Sequence, residues 1–286
     1  MKKKEFIVIG LGSIGKRHAK FLNSLDISLI IIDPSSESLI WAEKNLKNVN
    51  TFKKIEQAKK RIELSNINKS CVISNWGFQH FETINKLIKY NVNNFFVEKP
   101  IVTSLKHVEQ LKILSNKKKI NLISGFQLRY SGLIKEIKKL SSLKFKGSPV
   151  AMNVTGGAFG MVENGIHFLD LAISIFNCNP LSVFSDLNNL KINPRSKKID
   201  FYEGSSVWMF DKNKKLTISS SGKSSVSYTA EIFYKNGKIK IHEDLSLSCY
   251  FRKIKEIKKD KKITRLGKAL KKESYSFKIK KNNLYK

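Results

Sequence analysis

Short apolar runs alternate with longer amphipathic stretches up to about Gly125. Such apolar runs separated by helical stretches are typical of a parallel sheet covered by helices on both faces. We therefore predict an α/β domain with a doubly wound parallel sheet over residues 1–124. Its expected strands are Phe6–Ile9, Leu29–Ile32, Cys71–Ser74, Phe95–Val97 and Ile120–Ser124, with a weaker one at Val49–Phe52. Its expected helices lie near 14–25, 36–47, 53–64, 79–90 and 104–118.

The remaining residues, 125–286, show a different pattern of short strands joined by polar turns. One helix, from Gly165 to about Phe176, interrupts them, which predicts an α+β domain with a mostly antiparallel sheet. Asn236-Gly237 separates two of the strands and predicts a hairpin with a type I′ turn. The expected strands are Val150–Thr155, Leu181–Phe184, Ser206–Phe210, Leu216–Ser220, Tyr228–Tyr234 and Lys238–His242.

The charge balance bears on partners more than on fold. The chain holds 54 Lys and Arg against 23 Asp and Glu, a formal net charge of +31, and its lysines concentrate in residues 251–286. A basic surface favours nucleic acid, anionic membranes or phosphorylated substrates, although lysine-rich codon usage explains the same numbers. The lysine-rich end is expected to form a strand plus a helix, or a partly ordered tail.

Several classes of protein are excluded. Cys71, Cys178 and Cys249 are too few and too far apart for a disulfide framework or a zinc site, and no other metal-ligand spacing occurs. No apolar run has the roughly 18–20 residues of a membrane span. The basic start and the apolar run after it imitate a signal peptide, but glycines break the run and no cleavage pattern follows. We expect a cytoplasmic protein without membrane partners.

A glycine motif follows the first predicted strand and opens the first helix. In Gly10-Leu11-Gly12-Ser13-Ile14-Gly15, the first glycine permits a tight turn, the second lets the backbone approach a pyrophosphate, and the third lets helix and strand pack closely. Asp33, at the end of the second strand, is placed to bind the adenosine ribose. Its carboxylate repels a 2′-phosphate, so NAD is favoured over NADP. Because the surroundings are basic, NADP stays an alternative.

Two clusters supply candidate catalytic groups. Glu98-Lys99-Pro100 closes the fifth strand, where the carboxyl ends of parallel strands face the ligand crevice. Pro100 holds Lys99 in an extended conformation, and we expect a cis Lys99–Pro100 bond. Glu163, His167 and Asp170 share one face if they lie on a single helix. A histidine there can take a proton from a hydroxyl while a hydride leaves the same carbon.

Together and in this order, these motifs resemble the Gfo/Idh/MocA family (glucose–fructose oxidoreductase, inositol dehydrogenase and relatives). The resemblance spans about residues 5–245. It rests on Gly10–Gly15 with His18, Asp33, Asn75-Trp76-Gly77-Phe78-Gln79-His80, Glu98-Lys99-Pro100, Gly125-Phe126-Gln127-Leu128-Arg129-Tyr130 and Gly165-Ile166-His167-Phe168-Leu169-Asp170.

The resemblance implies a nicotinamide cofactor in a Rossmann domain and a second domain with an open-faced sheet. Lys99 would bind the reacting oxygen and His167 would be the general acid/base. Glu163, Asp170 and Arg129 are substrate-binding candidates, although Asp170 equally fits a role in fixing its helix and Arg129 slightly favours a structural pairing. The implied cofactor-binding residues are Gly10, Gly12, Ser13, Ile14, Gly15, Asp33, Asn75, Trp76, His80, Glu98 and Lys99.

Three positions depart from the family pattern. Glu163 replaces a usual Asp, Gln127 a common Asn, and Asn75-Trp76-Gly77 stands where Thr-Pro-Asn is usual. Trp76 therefore packs against the cofactor or fills the core. None of the three departures removes a catalytic group. The chain is also shorter at its C-terminal end than is usual, so a shortened final element is expected.

The leading hypothesis is an NAD(P)-dependent oxidoreductase acting on a sugar, polyol, sugar phosphate or nucleotide-linked sugar. A non-catalytic NAD-binding or sensing protein on the same scaffold is the alternative, since a fold does not dictate a function. Nucleic-acid binding is disfavoured, because the lysines lack interleaved aromatic residues and no recognised motif occurs. A carbohydrate partner, anionic if the basic surface is used, and assembly as a homodimer or homotetramer are expected.

Overall fold

A computed structural model describes residues 5–64, 69–157, 159–190, 200–252 and 271–275. The chain divides into two compact units, one ending at Phe126 and the other beginning at Gln127. This division lies close to the boundary expected after residue 124. Each unit has its own sheet and its own helices.

The first unit contains one six-stranded parallel sheet in the order β3-β2-β1-β4-β5-β6, so the predicted doubly wound α/β fold is confirmed. The weak strand prediction at Val49–Phe52 is also confirmed, as the edge strand β3. The strands are β1 Glu5–Ile9, β2 Ser28–Ile32, β3 Val49–Phe52, β4 Ser70–Ile73, β5 Asn94–Val97 and β6 Asn121–Ser124. The helices are α1 Ser13–Ser24, α2 Ser36–Asn45, α3 Ile55–Leu64, α4 His80–Ile88 and α5 Leu105–Lys118.

Both faces of this sheet are buried, which explains why its strands are continuously apolar. Successive side chains of a strand point to opposite faces. In β1, Ile7 and Ile9 therefore enter one core, with Ile84 and Leu87 of α4, while Val8 enters the other. The strand order reverses between β1 and β4, and ligands of open α/β sheets bind at the carboxyl ends of strands at such a point.

The second unit contains an eight-stranded sheet in the order β14-β13-β12-β11-β7-β10-β9-β8. Only β7 and β10 pair in parallel, so the predicted mostly antiparallel sheet is confirmed. The helices are α6 Gln127–Tyr130, α7 Leu133–Lys144 and α8 Gly165–Phe176. The strands are β7 Ala151–Gly156, β8 Pro180–Asn189, β9 Tyr202–Phe210, β10 Lys215–Ser220, β11 Thr229–Tyr234, β12 Gly237–Ile241, β13 Leu247–Phe251 and β14 Lys271–Tyr275.

The expectation of a single helix in this unit is wrong. Helix α7 buries Leu133, Ile137 and Leu140 against the core of the second sheet. Apolar residues at this spacing form one stripe of an amphipathic helix. The signal was therefore present in the sequence, among four lysines of the same helix.

The hairpin prediction is confirmed, but its turn is different. Tyr234 pairs with Gly237, so the turn residues are Lys235 and Asn236, and neither Asn236 nor Gly237 has the positive φ of a type I′ turn. The buried Asn236 amide instead donates to the carbonyls of Lys144 and Arg252, and its oxygen accepts from Lys146 N–H. A Cβ on Gly237 would lie 2.0 Å from Tyr250 O, so this glycine is required by close strand packing.

Most of the lysine-rich end lies outside the described residues, which include only Phe251, Arg252 and β14 of it. In the described part of the chain, no helix combines the length and apolar character that a membrane crossing requires. The cytoplasmic location expected from the sequence stays a prediction.

Candidate cofactor and catalytic sites

The three glycines of the first loop differ in what surrounds them. Gly10 has φ +83°, and a Cβ there would lie 2.5 Å from Asn75 N. A Cβ on Gly15 would lie 1.9 Å from Gly10 O, whereas one on Gly12 would meet nothing within 4 Å. The outer glycines therefore allow backbone contact, and the middle one borders open space, as the glycine motif predicts.

The helix that follows this loop begins without a side-chain cap. Gly12 is the N-cap of α1 and supplies no side-chain hydrogen bond. The first N–H groups of a helix have no intrahelical acceptor, and together with the helix dipole they favour an anion. The open space at Gly12 and these N–H groups fit the diphosphate of a dinucleotide.

Asp33 is buried at the end of β2 and holds the glycine loop. Its Oδ2 accepts the Leu11 N–H at 2.6 Å, and its Oδ1 accepts the Ser35 N–H at 2.8 Å. The carboxylate is thus fixed beside the loop, and each oxygen has a further lone pair for a ribose hydroxyl. Ribose binding by Asp33 stays a prediction.

The end of β4 meets the glycine loop through a residue that the sequence did not single out as functional. Ser74 Oγ donates to Gly10 O at 2.8 Å. A small polar residue ending a predicted buried strand was its only signal. Next to it, Asn75 Nδ2 donates to Thr83 Oγ1 at 3.0 Å, while the buried Asn75 Oδ1 has no hydrogen-bond partner among the described residues. An unsatisfied buried acceptor fits a ligand that donates to it.

Two aromatic side chains follow Asn75 at the surface. Trp76 and Phe78 are 43% and 45% exposed, and their rings stack with centroids 6.4 Å apart and planes 8° apart. The alternative that Trp76 fills the core is therefore wrong. Exposed aromatic rings of this kind offer a stacking surface.

The turn that carries Lys99 has the expected cis Lys99–Pro100 bond. The preceding Glu98 is largely buried, and its Oε1 lies 2.9 Å from Nε2 of His18, on α1. The sequence singled out His18 only together with the glycine motif. The structure therefore joins the first helix to the Lys99 turn.

His80 is 1% exposed, at the start of α4. Its Nδ1 lies 2.9 Å from Pro100 O and its Nε2 lies 3.1 Å from Asn75 O. Burial lowers the pKa of His80, against the opposing effect of these carbonyls. The His80 ring therefore connects the Asn75 and Pro100 segments, and its part in cofactor binding stays a prediction.

In the second unit, His167 lies in the first turn of α8, which begins at Gly165. Glu163 precedes the helix, in the turn that Asn164 caps, so the expectation that Glu163 and His167 are helical i,i+4 neighbours is wrong. The Asn164 and Gly165 N–H groups both bond to Gly160 O, in a tight turn with φ +73° at Gly160, and α8 begins at the end of this turn.

Arg129 and Asp170 bind each other. Arg129 Nε lies 2.8 and 2.9 Å from the two Asp170 oxygens, and Nη2 lies 2.7 Å from Oδ1. The hydrogen bond to Asp170 raises the pKa of Arg129. This pair joins α6 to α8 and favours the structural alternatives that the sequence left open for both residues; a substrate contact by either stays a prediction. The described residues contain no group of three or more His, Cys, Asp or Glu arranged to hold a metal.

The glycine loop yields a matched pair of variants. Gly12→Ala should keep the melting temperature of the wild type and weaken NADH binding at least about tenfold, because its methyl enters the space of the diphosphate. Gly15→Ala should lower the unfolding free energy by about 3 kcal/mol or more, because its methyl overlaps Gly10 O. Thermal unfolding and fluorescence titration with NADH measure both; equal stability of the two variants would contradict the loop geometry.

The burial of His80 predicts a pH dependence of stability. Its pKa is lowered in the folded protein, so below pH 6.5 the unfolded chain binds the extra proton and stability falls. This contribution is at most about 2 kcal/mol between pH 7 and pH 5. His80→Asn should flatten the pH profile of denaturant unfolding, and His107→Asn, at a partly buried histidine stacked on Phe81, should not. Parallel profiles for wild type and His80→Asn would refute the assignment.

Solved structures with the same fold share little sequence with this chain. A UDP-N-acetylglucosamine 3-dehydrogenase from Acidithiobacillus ferrooxidans is 14% identical with a TM-score of 0.75, over 100% of this chain and 86% of that one. A myo-inositol 2-dehydrogenase from Lactobacillus plantarum is 21% identical with a TM-score of 0.69, over 85% and 77%. A scyllo-inositol dehydrogenase from Lactobacillus casei, with bound NAD(H) and scyllo-inositol, is 17% identical with a TM-score of 0.67, over 85% and 77%.

No curated protein matches the chain by sequence. A family model does match, over residues 4–126, and is described as the oxidoreductase family with an NAD-binding Rossmann fold of the Gfo/Idh/MocA type. The match covers the glycine loop, Asp33, Asn75 and the Lys99 turn, which the structure brings to one edge of the first sheet. The resemblance inferred from the motifs is thereby confirmed: the first unit matches the NAD-binding Rossmann fold of the Gfo/Idh/MocA oxidoreductase family.

Proposed function

We propose that the chain is an NAD-dependent oxidoreductase that transfers a hydride between the nicotinamide and a hydroxyl or keto carbon of a carbohydrate. The observation that carries this proposal is the glycine loop, where Gly12 borders open space beside an uncapped helix N-terminus. The buried Asp33 carboxylate at the same edge favours NAD over NADP by repelling a 2′-phosphate. NADP remains the second coenzyme to be tested.

Within the first unit, we assign the cofactor contacts to the residues around this loop. Asn75 Oδ1 accepts a hydrogen bond from the cofactor, and the Trp76–Phe78 pair stacks on one of its flat rings. His80 and Glu98 hold the segments that carry Asn75 and Lys99. Support comes from the unsatisfied Asn75 oxygen and the exposure of both aromatic rings.

We assign the chemistry to two side chains, Lys99 and His167. When bound, the nicotinamide accepts or supplies the hydride. In the oxidative direction, His167 takes the hydroxyl proton, and the Lys99 ammonium stabilises the negative charge that develops on that oxygen. Glu163 orients His167 or a substrate hydroxyl. In the reductive direction, His167 returns the proton.

Two observations bear on the substrate class: the enzymes whose structures resemble this chain, and the net charge of the chain. The structures similar to this chain include enzymes named for a nucleotide-linked sugar and for inositols. A net charge of +31 favours an anionic substrate. We therefore rank sugar phosphates and nucleotide-linked sugars before neutral sugars and polyols.

A screen of these four substrate classes with NAD and NADP tests the activity. On the substrate found, Lys99→Ala and His167→Ala should each lower kcat by about 10²–10⁴-fold, because each removes a group that acts on the reacting oxygen. Both should retain NADH binding, and His107→Ala should keep full turnover. NADH binding without turnover of any class would favour the non-catalytic NAD-binding alternative; full activity of both variants would remove these two assignments.

We also infer that a second copy of this chain covers strand β8. This edge strand of the second sheet exposes Leu181 and Phe184, at 74% and 67%, together with Val183. Long apolar edge strands are sites of association. The strand Pro180–Asn189 contains no Lys or Arg, so two copies that each carry +31 can meet there without placing lysines against lysines.

Light scattering after size-exclusion chromatography tests the assembly. The wild type should have at least twice the mass of one chain, and Leu181→Lys/Phe184→Lys should have the mass of one. Leu105→Lys, on an exposed side chain of α5, is the control and should leave the mass unchanged. A monomeric wild type, or an oligomeric double variant, would contradict an interface at β8.

A further inference from the structure

We infer that two histidines position the catalytic Lys99: His18 holds the turn from one side through Glu98, and His80 holds it from the other through Pro100. Each histidine acts on Lys99 through a neighbouring residue, so both are positioning residues. The inference rests on the proposed function for the role of Lys99. The two contacts themselves lie entirely within the first unit.

The first contact joins α1 to the end of β5. His18 Nε2 lies 2.9 Å from Glu98 Oε1, with both side chains largely buried. The His18 ring also meets Phe96 edge to face, with centroids 5.2 Å apart. A largely buried imidazole–carboxylate pair with a packed ring is more restrained than a surface ion pair.

Gly125, directly after β6, lies against the Glu98 carboxylate of this contact. A Cβ on Gly125 would lie 3.0 Å from the Glu98 carboxyl carbon and from each of its oxygens. The absence of a side chain at Gly125 therefore makes room for the Glu98 carboxylate. This gives a physical role to a glycine that the sequence noted only as part of a motif.

Fixing Glu98 also fixes the side on which Lys99 emerges. Phe96 packs with the core beside α1, and Val97 with the opposite core. Glu98 continues the strand through its N–H bond to Ile73 O, and Pro100 keeps Lys99 extended. Because successive side chains alternate, Glu98 lies on the α1 side with Phe96, and Lys99 belongs to the side of Val97.

His80 acts on the side of Val97. Its ring lies between Pro100 O and Asn75 O, at 2.9 and 3.1 Å. A neutral imidazole has one N–H donor, so it donates to one carbonyl at a time. The ring therefore connects the Lys99 turn to the segment with the unsatisfied Asn75 oxygen, while His18 connects it to the helix that begins at the glycine loop.

Side-chain replacements that restore or remove each donor test this role. His18→Ala should lower kcat by about 10–100-fold while the NADH Kd and substrate KM change less than threefold, since misplacement of a catalytic group is felt in the transition state. His18→Gln, which can still donate to Glu98, should recover kcat to within threefold of wild type. For His80, the corresponding pair of variants is His80→Ala and His80→Asn. His107→Ala is the control.

Gly125→Ala is a second, independent test, because the atoms nearest to its methyl are those of the Glu98 carboxylate, which must shift. It should lower kcat in the same direction as His18→Ala. Combining the two should give less than the product of the separate losses, because both act through Glu98. Multiplicative losses, or equal kcat values for the Ala and Gln variants at His18, would overturn the positioning role.

Hydrogen exchange of the cofactor-free protein tests the contacts without requiring turnover. The Glu98 amide should exchange at least threefold faster in His18→Ala and in His80→Ala, and at the wild-type rate in His107→Ala. If the wild type turns over no substrate while this result holds, the proposed function fails and the contacts stand. If exchange is unchanged in both variants, the inference fails whatever the activity.

Discussion

The close backbone approach between the glycine loop and the end of β4 is the constraint on which the first unit depends. Gly10 abuts the Ser74–Asn75 peptide, Gly15 abuts Gly10 O, and Ser74 Oγ closes the contact with a hydrogen bond. Because α1 starts in this loop, its axis is set by the same contact. The position of His18 on α1, and through it that of Glu98, therefore depends on Gly10, Gly15 and Ser74.

The carboxylates of Asp33 and Asp170 differ in how fully their oxygens are paired. Asp33 has spare acceptor capacity beside the glycine loop, whereas Asp170 accepts hydrogen bonds from both Nε and Nη2 of Arg129. A bidentate, partly buried pair of this kind is strong and directional. It joins α6 to α8, the helix that carries His167.

Prediction from sequence succeeded where the signal is local. The apolar strands of the first unit and helix α8 were placed correctly because periodicity reports which faces are buried. Helix α7 was missed although Leu133, Ile137 and Leu140 mark its buried stripe. The turn at Asn236 was misjudged because its amide bonds to Lys144 and Arg252, which are distant in sequence.

The sequence alone determined the fold class, the NAD-binding loop and the identity of the candidate catalytic groups, since motif spacing and hydrophobic period are properties of neighbouring residues. Tertiary structure decided which polar groups meet: His18 with Glu98, His80 with Pro100, and Arg129 with Asp170. It also decided that Trp76 is exposed and that Glu163 precedes its helix. These outcomes depend on chain segments brought together by packing, and no local pattern encodes the distance between them.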